Sequence, residues 1–353
     1  MLSSGKLDVI DGVRGSNGNE VFFIGTHGNA LQRQIYKSDL ESSTLTALTD
    51  LDSIHSYSLN ISPSGNWGVL KYNGPELPSQ KLINFNEYIT DSSYLSNQPE
   101  LSNANELNSK LNTYSIPLKT YLQIEVEEGI TLDVVEIKPK NFNPKFSYPL
   151  LVSVYGGPGS QKVNCDFTYG FEEIVSSSLE AIVLYIDPRG TGGRGWDYQA
   201  WAKSHIGHWE PRDIVSATEN YANEREFVDI NKIAIWGWSY GGFTTLKTLE
   251  FDAGRVFSFG MAVAPVTNWA LYDSIYTERY MGLPKDNLDG YNDAMITNFT
   301  NFSKLNRFLI IHGTGDDNVH FQNTLQLLNS FDLNNVENYD MHVYPDSDHS
   351  IHY

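Results

Sequence analysis

The sequence predicts an α/β fold, a doubly wound and mostly parallel sheet preceded by a short all-β segment, and three observations carry that reading. From residue 120 onward short apolar runs alternate with longer amphipathic ones, as in a parallel sheet covered on both faces. The first part of the chain instead breaks into β-branched and aromatic runs separated by Gly, Asn and Pro, which read as antiparallel hairpins. Between the two, residues 91–113 hold five Ser and five Asn and read as a linker.

In order along the chain, EVFFIGT (20–26), RQIYKSDL (33–40) and HSYSLNISPSGNWGVLKYNGP (55–75) supply the hairpins. Leu101, Leu107 and Leu111 fall at roughly helical spacing, so a short surface helix is expected in the linker. TYLQIEVEEGITLDVVEIKP (120–139) reads as strand, turn and strand. Six further strands are expected at 148–155, 180–187, 232–238, 257–265, 307–313 and 339–345, with helices at 211–224, 241–251 and 321–331. The expected division is 1–90, 91–113 (linker) and 114–353.

Composition bounds the function. Among 353 residues, 24 Lys and Arg face 43 Asp and Glu, a formal net charge of −19, which excludes a reader of nucleic-acid phosphates. The acidic balance favours basic peptides, although screening limits its reach to about 8 Å. The one cysteine, Cys165, excludes an intrachain disulfide and a Cys-based zinc cage. The N-terminal residues do not read as a signal peptide, and no run of ~18 apolar residues is seen. Asn60, Asn298 and Asn301 open Asn-x-Ser/Thr tripeptides and are candidate glycosylation sites in a secreted or lumenal protein.

The most informative segment is IAIWGWSYGGFTTLKTL (233–249), which contains Gly237-Trp238-Ser239-Tyr240-Gly241. A G-x-S-x-G alone is weak evidence, but here a buried strand runs into it and a helix starts after it, the arrangement of an α/β-hydrolase nucleophile elbow. The bland alternative is a Gly-rich turn with an N-cap serine. A serine hydroxyl needs a base and an orienter, in the order Ser, acid, His in this fold. RFLIIHG leads into Asp316-Asp317-Asn318 and YDMHVYP into Asp346-Ser347-Asp348-His349, each at a strand's carboxyl end, where open α/β sheets place their sites. Spacing leaves Asp316 and Asp317 as alternatives. His205 and His208 with Glu210 lack further metal-ligand signal, and His312 and His320 read as structural hydrogen-bonding residues. For the oxyanion, the Tyr240 N–H is one donor. The Tyr155-Gly156-Gly157-Pro158-Gly159 loop offers another, through a backbone N–H or the Tyr155 hydroxyl.

Together VYGGPGSQK, IDPRGTGGRGW, WGWSYGG, VAPVTNWALYDSIYTERYMG, HGTGDDNVHFQN and PDSDHSI, from about residue 145 to the last residue, resemble the prolyl-oligopeptidase group of serine peptidases. The resemblance is specifically to the dipeptidyl peptidase IV family, and within it to the fungal dipeptidyl aminopeptidases of the Golgi and vacuole. It implies Ser239 as nucleophile, Asp316 rather than Asp317 as the acid, and His349 as base, with the Tyr155 hydroxyl and Tyr240 N–H forming the oxyanion hole. It further implies that Val266, Trp269, Tyr272 and Tyr276 form a small pocket for a penultimate proline or alanine, and that Asn318 holds a substrate carbonyl. Without the resemblance, those aromatic residues read as core. The implied activity releases Xaa-Pro or Xaa-Ala dipeptides from peptides through an acyl-enzyme, with no cofactor and no metal. A general esterase of the same fold and a non-catalytic remnant are the alternatives.

The sequence also departs from that family. Its members carry a seven- or eight-bladed propeller, a paired-glutamate helix that binds the substrate amino terminus, and an N-terminal membrane anchor in Golgi, vacuole or cell-surface membranes. The strands before residue 91 suffice for at most two blades of about 40–45 residues, and neither a glutamate-pair segment nor an anchor is recognised. The family's terminal helix after the catalytic histidine, which helps build its homodimer, has no counterpart. The expectation is therefore a chain truncated at both ends, more active on a simple acetate ester than on Xaa-Pro dipeptide substrates.

Overall fold

The computed structural model describes residues 8–26, 28–87, 94 and 97–352. The chain forms two compact units, one of Met1–Ile116, Asn164–Gly170 and Gly193–Gly195, the other of Pro117–Val163, Phe171–Gly192 and Trp196–Tyr353.

In the first unit, β1 (Val9–Asn17), β2 (Glu20–Gly25), β3 (Gln34–Asp39) and β4 (Leu45–Ala47) form one four-stranded antiparallel sheet in chain order. A second follows, from β5 (Ser56–Ile61), β6 (Trp67–Gly74), β7 (Ser79–Asn84) and β8 (Glu100–Ser102). Phe22, Ile24, Ile35, Leu48, Leu59, Leu70, Ile83 and Phe85 make one core. Two consecutive four-stranded meanders are propeller-like. Of the stretch 91–113, residues 91–93 and 95–96 lie outside the described residues. Glu100–Ser102 pairs with β7 as β8, a strand of three exposed residues with no alternation to betray it. Helix α1 (Asn105–Leu111) buries no side chain.

The second unit is built on an eight-stranded sheet of order β16-β15-β14-β13-β11-β12-β10-β9. β9 (Leu118–Glu127) and β10 (Ile130–Lys138) are antiparallel at one edge, whereas β11 (Tyr148–Val154), β12 (Ile182–Ile186), β13 (Val228–Trp238), β14 (Phe259–Val263), β15 (Arg307–Gly313) and β16 (Tyr339–Tyr344) run parallel. All six parallel strands lie where the apolar runs predict them. The helices are α2 (Phe171–Leu179), α3 (Trp196–Gln199), α4 (Trp209–Asn223), α5 (Tyr240–Asp252), α6 (Ser274–Met281), α7 (Leu288–Ala294) and α8 (Gln322–Leu333). Val152, Leu184, Ile235, Leu246, Leu249, Phe308 and Phe331 belong to a single core around the sheet, each side chain of this size contributing about 1.5–3 kcal/mol by leaving water. α4, α5 and α8 match the amphipathic runs. Periodicity predicts none of α2, α3, α6 and α7; the starts of α6 and α7 are marked by capping residues instead, Asp273 accepting the Tyr276 N–H at 2.9 Å and Asn287 accepting the Gly290 N–H at 3.2 Å.

Candidate active site

Ser239 stands between β13 and α5 with φ 62° and ψ −118°, a left-handed backbone that a non-glycine residue holds at a cost of about 1–3 kcal/mol. Two features hold it there. The Ser239 N–H donates to Val263 O at 2.8 Å, fastening the turn to β14. Gly241 lets α5 start against β11: a Cβ at that position would lie 2.5 Å from Val154 O. The turn lifts the serine side chain off the strand ends, and the N–H of Tyr240 falls in the first helical turn, whose donors have no acceptor within the helix.

The acid and the histidine arrive on the loops after β15 and β16, and these loops are laced together. Thr314 N–H donates to Tyr344 O (3.0 Å), Gly315 N–H to Ser347 O (3.1 Å) and Asp346 N–H to Thr314 Oγ1 (2.8 Å). Gly313 permits the approach, since a Cβ there would meet Ser347 O at 2.3 Å. The result puts His349 Nδ1 2.7 Å from Asp316 Oδ2. Asp316 is buried and Asp317 exposed, so the alternative left open by spacing falls to Asp316 as the histidine's partner.

Asp316 is the most heavily bonded carboxylate of the site. Oδ1 accepts the Asn318 and Val319 N–H groups at 3.0 and 2.9 Å, and Oδ2 faces His312 Nε2 at 3.2 Å as well as His349. Burial works against its charge, but the bonds from His312, His349 and Asn318 outweigh it and hold the carboxyl well below the usual range. Asp316 Oδ2 is thus placed to accept an Nδ1–H of His349, which fixes the orientation of the ring and leaves Nε2 on its other side. Among the described residues Ser239 Oγ makes no hydrogen bond. The elbow and the histidine loop are joined instead by Trp238, whose Nε1–H donates to His349 O at 3.1 Å.

Tyr155 follows β11. Its carbonyl accepts Thr244 Oγ1–H at 2.8 Å, and its ring lies 5.8 Å from that of Tyr240. Although the residue is 36% exposed, the burial its phenol does undergo pushes the pKa up, so the hydroxyl remains a neutral donor. Val266 and Trp269 are each 1% exposed and pack with Tyr240, Phe243, Met281 and Val319. Tyr272 and Tyr276 are the partly open members: Tyr276 stacks on Trp269 at 6.0 Å and Tyr272 meets Tyr276 edge-on at 5.7 Å. The Tyr272 hydroxyl donates to Asn318 Oδ1 at 2.7 Å. The structure thus gathers the aromatic residues and the asparagine beside the acid loop, as a wall that is half core and half open.

Other candidates fall elsewhere. His208 pairs with Asp293 at 3.1 Å, and among the described residues no group of three or more His, Cys, Asp or Glu could hold a metal. Asn60 and Asn298 are exposed, whereas the Asn301 side-chain N–H is engaged by Glu250 O at 2.8 Å. Two residues were undervalued in the sequence. His312, four positions before Asp316 on β15, does make structural hydrogen bonds, but one of its partners is the acid itself. Glu210 accepts the Tyr240 hydroxyl at 2.6 Å, a partnership 30 residues apart that no local pattern announces.

A parallel sheet with a strained serine turn, followed in chain order by a buried aspartate and a histidine, defines an α/β-hydrolase. A model of the prolyl oligopeptidase family matches residues 167–353, and one of the dipeptidyl peptidase IV N-terminal region matches residues 1–79. The chain belongs to the prolyl oligopeptidase family, in its dipeptidyl peptidase IV group. It is 46% identical to a probable dipeptidyl-aminopeptidase B of Arthroderma benhamiae over 100% of this chain and 38% of the relative. With dipeptidyl aminopeptidase A of Saccharomyces cerevisiae it shares 43% identity over 94% of this chain and 37% of the relative. The crystal structure of Porphyromonas gingivalis dipeptidyl peptidase 4 superimposes with a TM-score of 0.89 at 30% identity, covering 100% of this chain and 48% of that one. The chain therefore spans well under half the length of the curated relatives it matches.

Proposed function

We propose that this chain carries the catalytic machinery of a serine dipeptidyl peptidase. Ser239 is the nucleophile, His349 the general base, Asp316 its orienter, and the Tyr155 hydroxyl with the Tyr240 N–H stabilises the oxyanion. The observation that carries the reading is the 2.7 Å contact of His349 Nδ1 with the buried Asp316, on the same sheet edge as a serine at φ 62°. His349 Nε2 takes the Ser239 proton as Oγ bonds to the substrate carbonyl carbon. The tetrahedral oxyanion accepts bonds from Tyr155 and Tyr240, and the leaving amine departs with the proton from His349. Water, activated by the same histidine, then breaks the acyl bond. Val266, Trp269, Tyr272 and Tyr276 form an aromatic-walled pocket suited to a flat pyrrolidine ring or a methyl group and too small for larger side chains, and Asn318 presents its amide to a substrate carbonyl. The substrate class is a peptide with penultimate Pro or Ala, cleaved without metal or cofactor.

The test is selectivity at the penultimate position, with Ala-Pro-, Ala-Ala- and Ala-Leu-p-nitroanilide offered to the chain and to S239A. Release from the first two, at least about tenfold faster than from the third and absent in S239A, is expected. Equal release from all three, or release by S239A, overturns the assignment.

A further inference from the structure

Glu210 is 3% exposed, sits in the first turn of α4, and touches no residue assigned to bind substrate except one. Both of its carboxylate oxygens accept the Gly207 N–H, at 3.1 and 3.0 Å, and Oε1 also accepts the Tyr240 hydroxyl at 2.6 Å. Tyr240 is otherwise embedded in apolar and aromatic neighbours, its ring 5.3 Å from Trp269, 5.4 Å from Phe243 and 5.8 Å from Tyr155. A carboxyl kept in such a place is expensive: burial pushes Glu210 up to about 7, and apolar residues of similar volume at positions 210 and 240 would pack without that desolvation. Tyr240 is also the residue whose N–H lies beside the nucleophile. Its hydroxyl is thus the anchor point through which a single carboxyl can hold the ring in the pocket wall beside Trp269.

We propose that Glu210 is a positioning residue that sets the selectivity of the pocket, holding the Tyr240 ring against Trp269 by tying its hydroxyl to the amino terminus of α4. The anchor is rigid because the carboxylate is itself fixed by the Gly207 N–H and by its place at the positive end of a 15-residue helix. When it is removed, the ring gains freedom and the pocket loses its fit to a pyrrolidine, while Ser239, His349 and Asp316 keep their contacts. This inference rests on the function proposed above, and its test separates the two.

Two serine-directed probes are compared on the whole chain: a simple alkyl fluorophosphonate, which needs no pocket, and a prolyl diphenylphosphonate, which must fill it. The ratio of their labelling rates is measured for the wild-type chain, E210Q, Y240F and the double variant. At pH 8, where Glu210 is ionised, E210Q and Y240F are each expected to lower the prolyl-to-alkyl ratio by about tenfold or more, the range for losing one hydrogen bond to a charged group. In E210Q, which touches no reacting group, the loss should fall on the concentration giving half-maximal rate rather than on the limiting rate, and the double variant should be no worse than either single one. An unchanged ratio with normal alkyl labelling overturns the role of Glu210 alone, as does additive loss in the double variant. Y240F keeps the ring and the N–H, so it serves where E210Q folds poorly. A wild-type chain that reacts with neither probe overturns the serine-peptidase reading itself, and this inference with it.

Discussion

Replacing Glu210 by glutamine removes a buried ionisable group whose cost to the fold depends on pH, and the size of that dependence follows from its surroundings. Burial moves the carboxyl from an ordinary 4.5 to about 7 in the folded chain. Between those values the unfolded chain has released the proton and the native chain still holds it, so stability is fully present below about 4.5 and is lost as pH rises through 7. At 1.36 kcal/mol per unit the whole displacement is about 3 kcal/mol, most of it lost between pH 5 and pH 8. Glutamine does not titrate. The stability of E210Q relative to the wild type should therefore improve by about 2–3 kcal/mol between pH 5 and pH 8, whatever fixed amount the substitution costs, a large fraction of a typical domain's net stability. Urea unfolding of both proteins at pH 5, 6, 7 and 8, followed by tryptophan fluorescence, gives the difference directly. Asp187, also raised by burial, to about 6, is common to both proteins and cancels. Parallel stability curves, differing by a constant at all four pH values, would refute the reasoning that Glu210 is buried as a neutral acid beside Tyr240.

Two further outcomes follow from the packing. Asp316→Asn replaces an acceptor of the His349 proton by a group that presents an N–H on one side, so labelling of Ser239 by a fluorophosphonate should slow by about 10⁴-fold, while Asp317→Asn, on an exposed neighbour, should leave it within about twofold; comparable losses in both variants would sink the assignment of the acid. Gly241→Ala places a methyl 2.5 Å from Val154 O and should lower stability by about 1–3 kcal/mol through overpacking, read by thermal unfolding; an unshifted midpoint would show that the elbow does not need the close approach.

The inner strands of the sheet were legible because buried parallel strands are near-continuous apolar runs, as in β12, where all five residues are buried; β16, at the edge, has no buried residue and stood out less. β8 was not, since its three residues are exposed and owe their conformation to pairing with β7 rather than to their own pattern. α6 was obscured for a related reason: IYTERYM places aromatic residues toward Trp269 and Met281 within a local cluster, so it lacks the apolar stripe of a helix packed on the main sheet. The serine turn and the histidine could be placed from strand ends alone. The acid could not be fixed by spacing, because Asp316 and Asp317 are equivalent in sequence and differ only in that one is buried under His312, Asn318 and Val319. Glu210 was visible only as an acid near two histidines. Its significance depends on a tyrosine 30 residues away that the fold brings within hydrogen-bonding distance.

The central claim is that Ser239, at the strained turn, is a nucleophile activated by His349. The most direct measurement is the mass and position of the adduct formed when the folded chain meets a fluorophosphonate. One adduct per chain, mapped to the peptide containing Ser239 and absent from both S239A and H349A, is the predicted result. No adduct on the folded chain, or an adduct that persists in S239A, would contradict it.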